Sequence, residues 1–77
     1  MGKDFSQDYL KKFGKNLKNL RESKGYSLRG LAAECKIDHS DIGKMERGEK
    51  NITLLTVLEL ANALQVHPKK LLDFDIE

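Results

Sequence analysis

The chain has 77 residues, of which 34% are charged, with a net charge of +2 at pH 7 and one cysteine. This length fits one domain with a modest core and leaves no room for a second. No apolar run approaches the ~20 residues that cross a bilayer, and the first residues are too polar for a signal peptide. Together with the lone cysteine, which is typical of a reducing compartment, this predicts a cytoplasmic protein without disulfides or membrane spans.

Apolar residues at helical spacing predict a first helix over 8–23. Its inner face would hold Leu10, Phe13, Leu17 and Leu20. Gly25 suits the position just after the helix end, and Ser27 is a suitable N-cap for a second helix over about 28–35. The inner face of that helix would hold Leu28, Leu31, Ala32 and Cys35, with the cysteine acting as a small buried hydrophobe.

Asp38 is the predicted N-cap of a third helix over 39–46, which Gly48 follows. Thr53 would cap a fourth helix over 54–64. The residues of this helix expected to point inward are Leu54, Val57, Ala61 and Leu64. Pro68 fits the first turn of a short fifth helix, with His67 as a turn or cap residue.

The fold class predicted by these elements is all-α, a compact five-helix bundle. A flexible extension (1–7) would precede the bundle (8–74), and an acidic tail (75–77) would follow it. Only the residues "KID" separate the second and third helices, and so short a connection favours a steep crossing. A steep crossing after a short turn is the geometry of a helix-turn-helix.

Several segments, in this order and at these spacings, resemble the Cro/phage-repressor (XRE-like) type of helix-turn-helix domain. They are "LRESKGYS", Ala32 followed by Ile37, "IGKMERGEKN" and "LELANAL", within about 13–72. The resemblance implies a lambda-repressor-like domain that binds double-stranded DNA as a homodimer, with the third helix in the major groove. It also implies a largely buried ion pair between Arg21 and Glu46; the alternative is two ordinary surface charges.

Three positions depart from the family pattern. Leu28 stands where a glutamine usually contacts a phosphate, so Ser27 or Arg29 would replace that contact. Lys36 stands where the turn usually has a left-handed glycine, a conformation that costs a non-glycine residue about 1 kcal/mol. Ile52 replaces the proline common before the fourth helix.

The side of the third helix opposite its core residues is the predicted base-contacting surface. It comprises His39, Ser40, Gly43 and Lys44. Lys44 can donate to guanine O6 and N7 or to a phosphate. Gly43 is expected to face outward and to let the helix backbone lie close to the groove floor; the alternative is drift at a position that tolerates only small residues. Asp41 would support the helix N-terminus, accept from cytosine N4, or orient His39.

Phosphate contacts are expected from the loop after the third helix and from the starts of the second and fourth helices. The residues are Ser27, Arg29, Arg47, Lys50, Asn51 and Thr53. Because such contacts release counterions, binding should weaken steeply with salt. Lys15 and Lys18 are better explained as solvated surface residues.

The fourth helix has more leucines than one inward stripe requires. Leu55 and Leu58 lie beside the stripe, and we expect them to form a two-fold dimer contact with Leu72 and Phe74. The two third helices would then lie ~34 Å apart on a near-palindromic site. The alternative is a C-terminal tail that folds over these leucines.

Nothing in the sequence composes a catalytic or metal site, and no enzyme activity, cofactor or small-molecule ligand is predicted. Two functional classes remain. One is a stand-alone, sequence-specific transcriptional regulator, activator or repressor, acting at the nucleoid; within the family the chain most resembles restriction–modification controllers. The other is a protein-interaction module, such as an antitoxin that binds a toxin and regulates its own operon.

Overall fold

The computed structural model describes residues 5–75, so residues 1–4 of the predicted extension and residues 76–77 of the predicted tail lie outside it. Residues 5–75 form four α-helices and one 3-10 helix: α1 (Phe5–Ser23), α2 (Leu28–Ala33), α3 (His39–Glu46), α4 (Leu54–Leu64) and the 3-10 helix Pro68–Leu72. No helix within the described range is long and apolar enough for a membrane span.

The all-α class is confirmed, but the bundle has four α-helices rather than five. The predicted fifth helix forms as a 3-10 helix, in which Lys70 N donates to His67 O at 2.9 Å. Segments of this length often adopt the tighter i→i+3 pattern because they are too short to gain a ladder of α-helical bonds. In addition, α1 begins at Phe5 rather than at residue 8, and α2 already ends at Ala33.

Side chains cap the helices that follow a loop, and the three predicted α-helix caps are confirmed. Ser27 Oγ accepts from Gly30 N, Asp38 accepts from Ser40 N, and Thr53 Oγ1 accepts from Thr56 N. His67 Nδ1 likewise accepts from Lys69 N at the start of the 3-10 helix. Each cap satisfies a backbone N–H that has no partner within its own helix.

The left-handed backbone positions differ in part from the expectation. Gly25 and Gly48 have φ of +81° and +74°, as their places after α1 and α3 require. Among residues 5–75 the only non-glycine residue with positive φ is Gln65, which ends α4. Lys36 is therefore not left-handed, and the cost expected there does not arise. The turn instead continues from α2 through i→i+3 bonds, from Glu34 N to Leu31 O and from Cys35 N to Ala32 O.

The core is formed by leucines and other apolar residues from every helix. Its fully buried large members are Leu17, Leu31, Ile42, Leu60, Leu64 and Leu71. The prediction that Leu54 points inward is wrong, since it is 71% exposed, and Leu60 takes its place in the inward stripe of α4. Leu54 is the first residue of the helix and lies beyond the core, whereas Leu60 is one turn from both Val57 and Leu64.

A glycine sets the distance between α1 and α3. A Cβ at Gly14 would clash with the backbone carbonyl oxygens of Met45 and Glu46, and would lie 2.7 Å from Glu46 C. α1 therefore rests directly on the backbone of the last turn of α3. This close approach fixes the position of α3 relative to the rest of the bundle.

Candidate nucleic-acid interface

The first turn of α3 is organised around Asp38. Asp38 Oδ2 accepts from Ser40 N at 3.3 Å and also from the Ser40 hydroxyl, while His39 Nδ1 lies 3.8 Å from Asp38 Oδ1. The hydrogen bond from the Ser40 hydroxyl is the main cause that holds the pKa of Asp38 below its usual value. Because the single hydroxyl proton is used in this bond, Ser40 presents acceptor lone pairs to the exterior.

The outer surface of α3 is formed by polar side chains of different exposure. Ser40 and Lys44 are exposed, whereas His39 and Asp41 are half-buried. His39 also lines an open cleft at the α2–α3 turn together with Arg29. The eight-residue helix α3 thus carries four polar side chains that are at least partly accessible to a ligand.

The expectation that Gly43 is outward and open is wrong, because the residue is buried. A Cβ at this position would lie 3.3 Å from Arg47 Nη1 and 3.7 Å from Leu28 Cδ1. The missing side chain makes room for the guanidinium of Arg47, one helical turn later, and for the first residue of α2. This location of Arg47 was missed, although the i, i+4 spacing of Gly43 and Arg47 indicates that the two are neighbours.

The predicted phosphate-contacting residues lie in two groups along the chain. Ser27 and Arg29 lie at the start of α2, and the others lie between the end of α3 and the start of α4. Three of the six already have local roles: the Ser27 and Thr53 hydroxyls are caps, and Asn51 Oδ1 accepts from Ile52 N at 3.0 Å. Their backbone amides, not their side-chain acceptors, are the groups suited to an anion.

Two cations that follow α3 in the chain each lie beside a carboxylate. Arg47 Nε is 3.1 Å from Glu49 Oε2, and Lys50 Nζ is 3.9 Å from Asp41 Oδ1. All four side chains are well exposed, so these pairs are weak and can exchange partners. The geometry also decides which carboxylate adjoins His39: it is Asp38, whereas Asp41 adjoins Lys50.

The ion pair that the sequence predicts between Arg21 and Glu46 is present. Arg21 donates to Glu46 through two nitrogens and to the carbonyl oxygen of Tyr26 at 2.7 Å, and the two paired side chains are 9% and 6% exposed. The hydrogen bond to Glu46 is the main cause that raises the pKa of Arg21. The pair joins the end of α1 to the end of α3.

Apolar side chains are exposed on α4 and on the 3-10 helix. Leu55 is 71% exposed, Leu58 40% and Leu72 59%, but Phe74 is half-buried, with its ring 6.5 Å from that of Tyr9 on α1. Phe74, the last residue of the predicted bundle, thus packs against α1, and Leu55 and Leu58 remain exposed. The alternative in which the tail folds over these leucines concerns residues 75–77, of which only Asp75 lies within the described part of the chain.

Comparisons with known proteins agree with this geometry. A family model described as helix-turn-helix matches residues 17–71. The control protein C.BamHI of Bacillus amyloliquefaciens is 40% identical over 63 residues, which cover 80% of this chain and 78% of that protein.

Solved structures give the same result. The restriction-modification controller protein C.AhdI from Aeromonas hydrophila superposes with a TM-score of 0.78 and 44% identity, covering 80% of this chain and 94% of that one. An HTH_3-family transcriptional regulator from Vibrio cholerae superposes with a TM-score of 0.86 and 28% identity, covering 92% of this chain and 40% of that one.

Proposed function

This chain belongs to the XRE-like helix-turn-helix family, and from that membership we propose that it regulates transcription by binding a near-palindromic operator as a homodimer, with α3 in the major groove. Two of its relatives are named as controller proteins, one of them of a restriction–modification system. The genes proposed to be under its control are therefore those of a restriction–modification system.

The observation that carries this proposal is the arrangement around α3. Asp38 caps the first turn of this helix. On its outer surface Ser40 and Lys44 are exposed. Arg47 and Lys50 follow its carboxyl end. A short rigid helix with polar side chains toward a groove and cations toward the flanking phosphates has the parts that major-groove recognition needs.

The proposed base contacts come from three side chains. Lys44 donates to guanine O6 and N7, Ser40 accepts from an exocyclic amino group of adenine or cytosine, and His39 donates or accepts at the edge of the site. Gly43 contributes by leaving space for Arg47, whose guanidinium lies over the helix at this point. Arg47 can therefore contact either a base edge or a phosphate.

The proposed phosphate contacts follow from the two groups described above. Arg29 and the amides near Ser27 serve one strand, and Lys50 with the amides near Asn51 and Thr53 serves the other. Glu49 and Asp41 reduce the local positive charge in the free protein. On binding, phosphates replace these carboxylates as partners of Arg47 and Lys50.

The proposed dimer contact uses the exposed leucines of α4 and the 3-10 helix. A self-complementary apolar surface suits a two-fold axis, because each residue meets its own copy or a neighbour of it. Leu55, Leu58 and Leu72 are three large apolar residues exposed at 40% or more. Phe74, by contrast, contributes by holding the end of the chain on Tyr9 and takes a smaller part than the sequence predicts.

The decisive experiment is selection of bound duplexes from a random pool, followed by a salt titration on the selected sequence. We expect a near-palindromic consensus with half-sites about one DNA turn apart, and a steep loss of affinity with salt. The charge-reversed variant Arg47→Glu/Lys50→Glu should lose this binding. Wild-type protein that shows no sequence preference and no salt dependence would instead favour a protein-interaction module.

A further inference from the structure

The first turns of α1 rest on the carboxyl end of α3, at the point where the chain leaves the proposed recognition helix. A Cβ at Gly48 would lie 2.7 Å from Lys11 Cγ and 2.9 Å from Lys11 Cα, so the stem of Lys11 runs directly over this glycine. One turn earlier, Gln7 Nε2 donates to Gly48 O at 3.3 Å. Two side chains of α1 are thus in contact with the same residue.

Gly48 stands between two cations of the proposed interface, directly after Arg47 and two positions before Lys50. Because the Lys11 stem crosses Gly48, its remaining methylenes and its ammonium extend past the glycine beside this loop. Lys11 is exposed, and its ammonium therefore adds to the positive charge of Lys44, Arg47 and Lys50 near the carboxyl end of α3.

The charges around Lys11 distinguish it from its two neighbours. Arg47 and Lys50 are each beside a carboxylate, at 3.1 Å and 3.9 Å. Within residues 5–75 no carboxylate is paired with Lys11. Lys11 consequently needs no change of partner before it meets an anion, and its stem is already held in place by packing.

We propose that Lys11 is a phosphate-contacting residue, which extends the DNA interface from the helix-turn-helix onto the amino-terminal half of α1. This rests on the proposed function, since the anion is the DNA backbone beside the operator half-site. Gln7 is a positioning residue here: its hydrogen bond to Gly48 O keeps the two helices in register. The family match begins only at residue 17, so this contact lies outside the matched segment.

The test compares neutral variants that keep the side-chain stem, measured on the selected operator over a range of salt concentrations. Lys11→Met preserves the packing on Gly48 and removes the charge. Because each protomer then releases one fewer counterion, the magnitude of the salt slope for the dimer should fall by about 1.8, and binding at 0.1 M salt should weaken about 60-fold. Lys11→Arg should retain both the slope and the affinity.

The matched control is Lys15→Met, one helical turn along α1. Lys15 is also exposed, but it lines a cleft with Phe74 and Asp75 and is one turn further from Gly48. We expect its slope and affinity to equal those of the wild type. A Lys11→Met variant with the same salt slope and affinity as Lys15→Met would overturn the proposal. A Lys11→Met variant that binds more weakly but has the wild-type salt slope would overturn it too, because lost packing alone does not change the slope. Absence of operator binding by the wild type would refute the proposed function itself.

Discussion

Arg21 and Glu46 join the last turn of α1 to the last turn of α3 through two hydrogen bonds, from Nε to Oε2 at 2.6 Å and from Nη2 to Oε1 at 3.1 Å. Both side chains are buried, so removing either one leaves a charge without its partner. We expect Arg21→Ala to lower the free energy of unfolding by about 3–5 kcal/mol, measured by urea denaturation. A double variant, Arg21→Met/Glu46→Leu, should recover part of the loss, because it removes both charges. Single variants within about 0.5 kcal/mol of the wild type would contradict a buried, coupled pair.

Two glycines of the bundle should respond oppositely to alanine. At Gly14 the added methyl meets the backbone of Met45 and Glu46, which cannot move aside, and the expected cost is about 1–3 kcal/mol of overpacking. At Gly43 it meets Arg47 Nη1, the end of a flexible side chain, at 3.3 Å. Gly43→Ala should therefore raise the unfolding free energy by up to about 1 kcal/mol through helix propensity. Urea denaturation of both variants measures the two changes in unfolding free energy. Changes of the same sign and size would show that the two glycines are not packed as described.

The cap of α3 should make stability depend on pH. The Ser40 hydroxyl lowers the pKa of Asp38 in the folded protein, so the carboxylate form stabilises the fold. This contribution is complete above the ordinary carboxyl pKa and is lost as the pH falls through the lower folded pKa. Asp38→Asn keeps an N-cap acceptor but has no proton to gain, so its unfolding free energy should fall less than that of the wild type between about pH 5 and pH 2. The unfolding free energies of both proteins are measured by urea denaturation at each pH. If both fall by the same amount over this range, the Asp38 carboxylate does not stabilise the fold in this way.

Lys44 is the side chain with the clearest expected base contact. If it donates to guanine, Lys44→Ala should cost about 1–3 kcal/mol for each half-site of the selected operator and relax the preference at one base pair of each half-site. Binding to operators that carry single substitutions measures this effect. Lys24→Ala, which removes an exposed lysine just after α1, is the control and should leave the preference intact. Uniform weakening on every sequence would make Lys44 a phosphate contact instead.

Leu58 lies in the centre of the proposed dimer contact. Leu58→Glu would place a carboxylate against apolar side chains of the partner. The free energy needed to bury this charge exceeds the free energy gained from the contact. We expect a monomer by sedimentation equilibrium at concentrations where the wild type is a dimer. Asn19→Glu adds the same charge to an exposed position of α1 and should stay dimeric. A dimeric Leu58→Glu variant would remove the leucines of α4 from the interface.

Local signals predicted the starts of α2, α3 and α4 well, although not the start of α1. Ser27, Asp38 and Thr53 each satisfy an N–H two or three residues later, so the short sequence around each contains all the chemistry of the cap. The same holds for Gly25, whose positive φ follows from its place after a helix.

The failures of prediction involve contacts between distant parts of the chain. Leu54 and Leu60 both fit a helical period, and only the position of the other helices decides which of them is buried. From the sequence, Gly43 is expected to be exposed because it lies away from the side of α3 that carries Ile42 and Met45. In the structure it is buried by Leu28, on another helix, and by the side chain of Arg47. The candidate site therefore differs from the prediction most where a long side chain folds back over the helix that carries it.

The anchoring of α3 is unequal along its length. Its carboxyl end contacts α1 at three places. The backbone of its last turn lies on Gly14, Gly48 lies against Lys11, and Glu46 pairs with Arg21. Its amino-terminal turn depends on the cap of Asp38. The carboxyl half is thus fixed by a distant part of the chain and the first turn by a bond within its own sequence, so the helix is preorganised at both ends and loses little conformational entropy on docking.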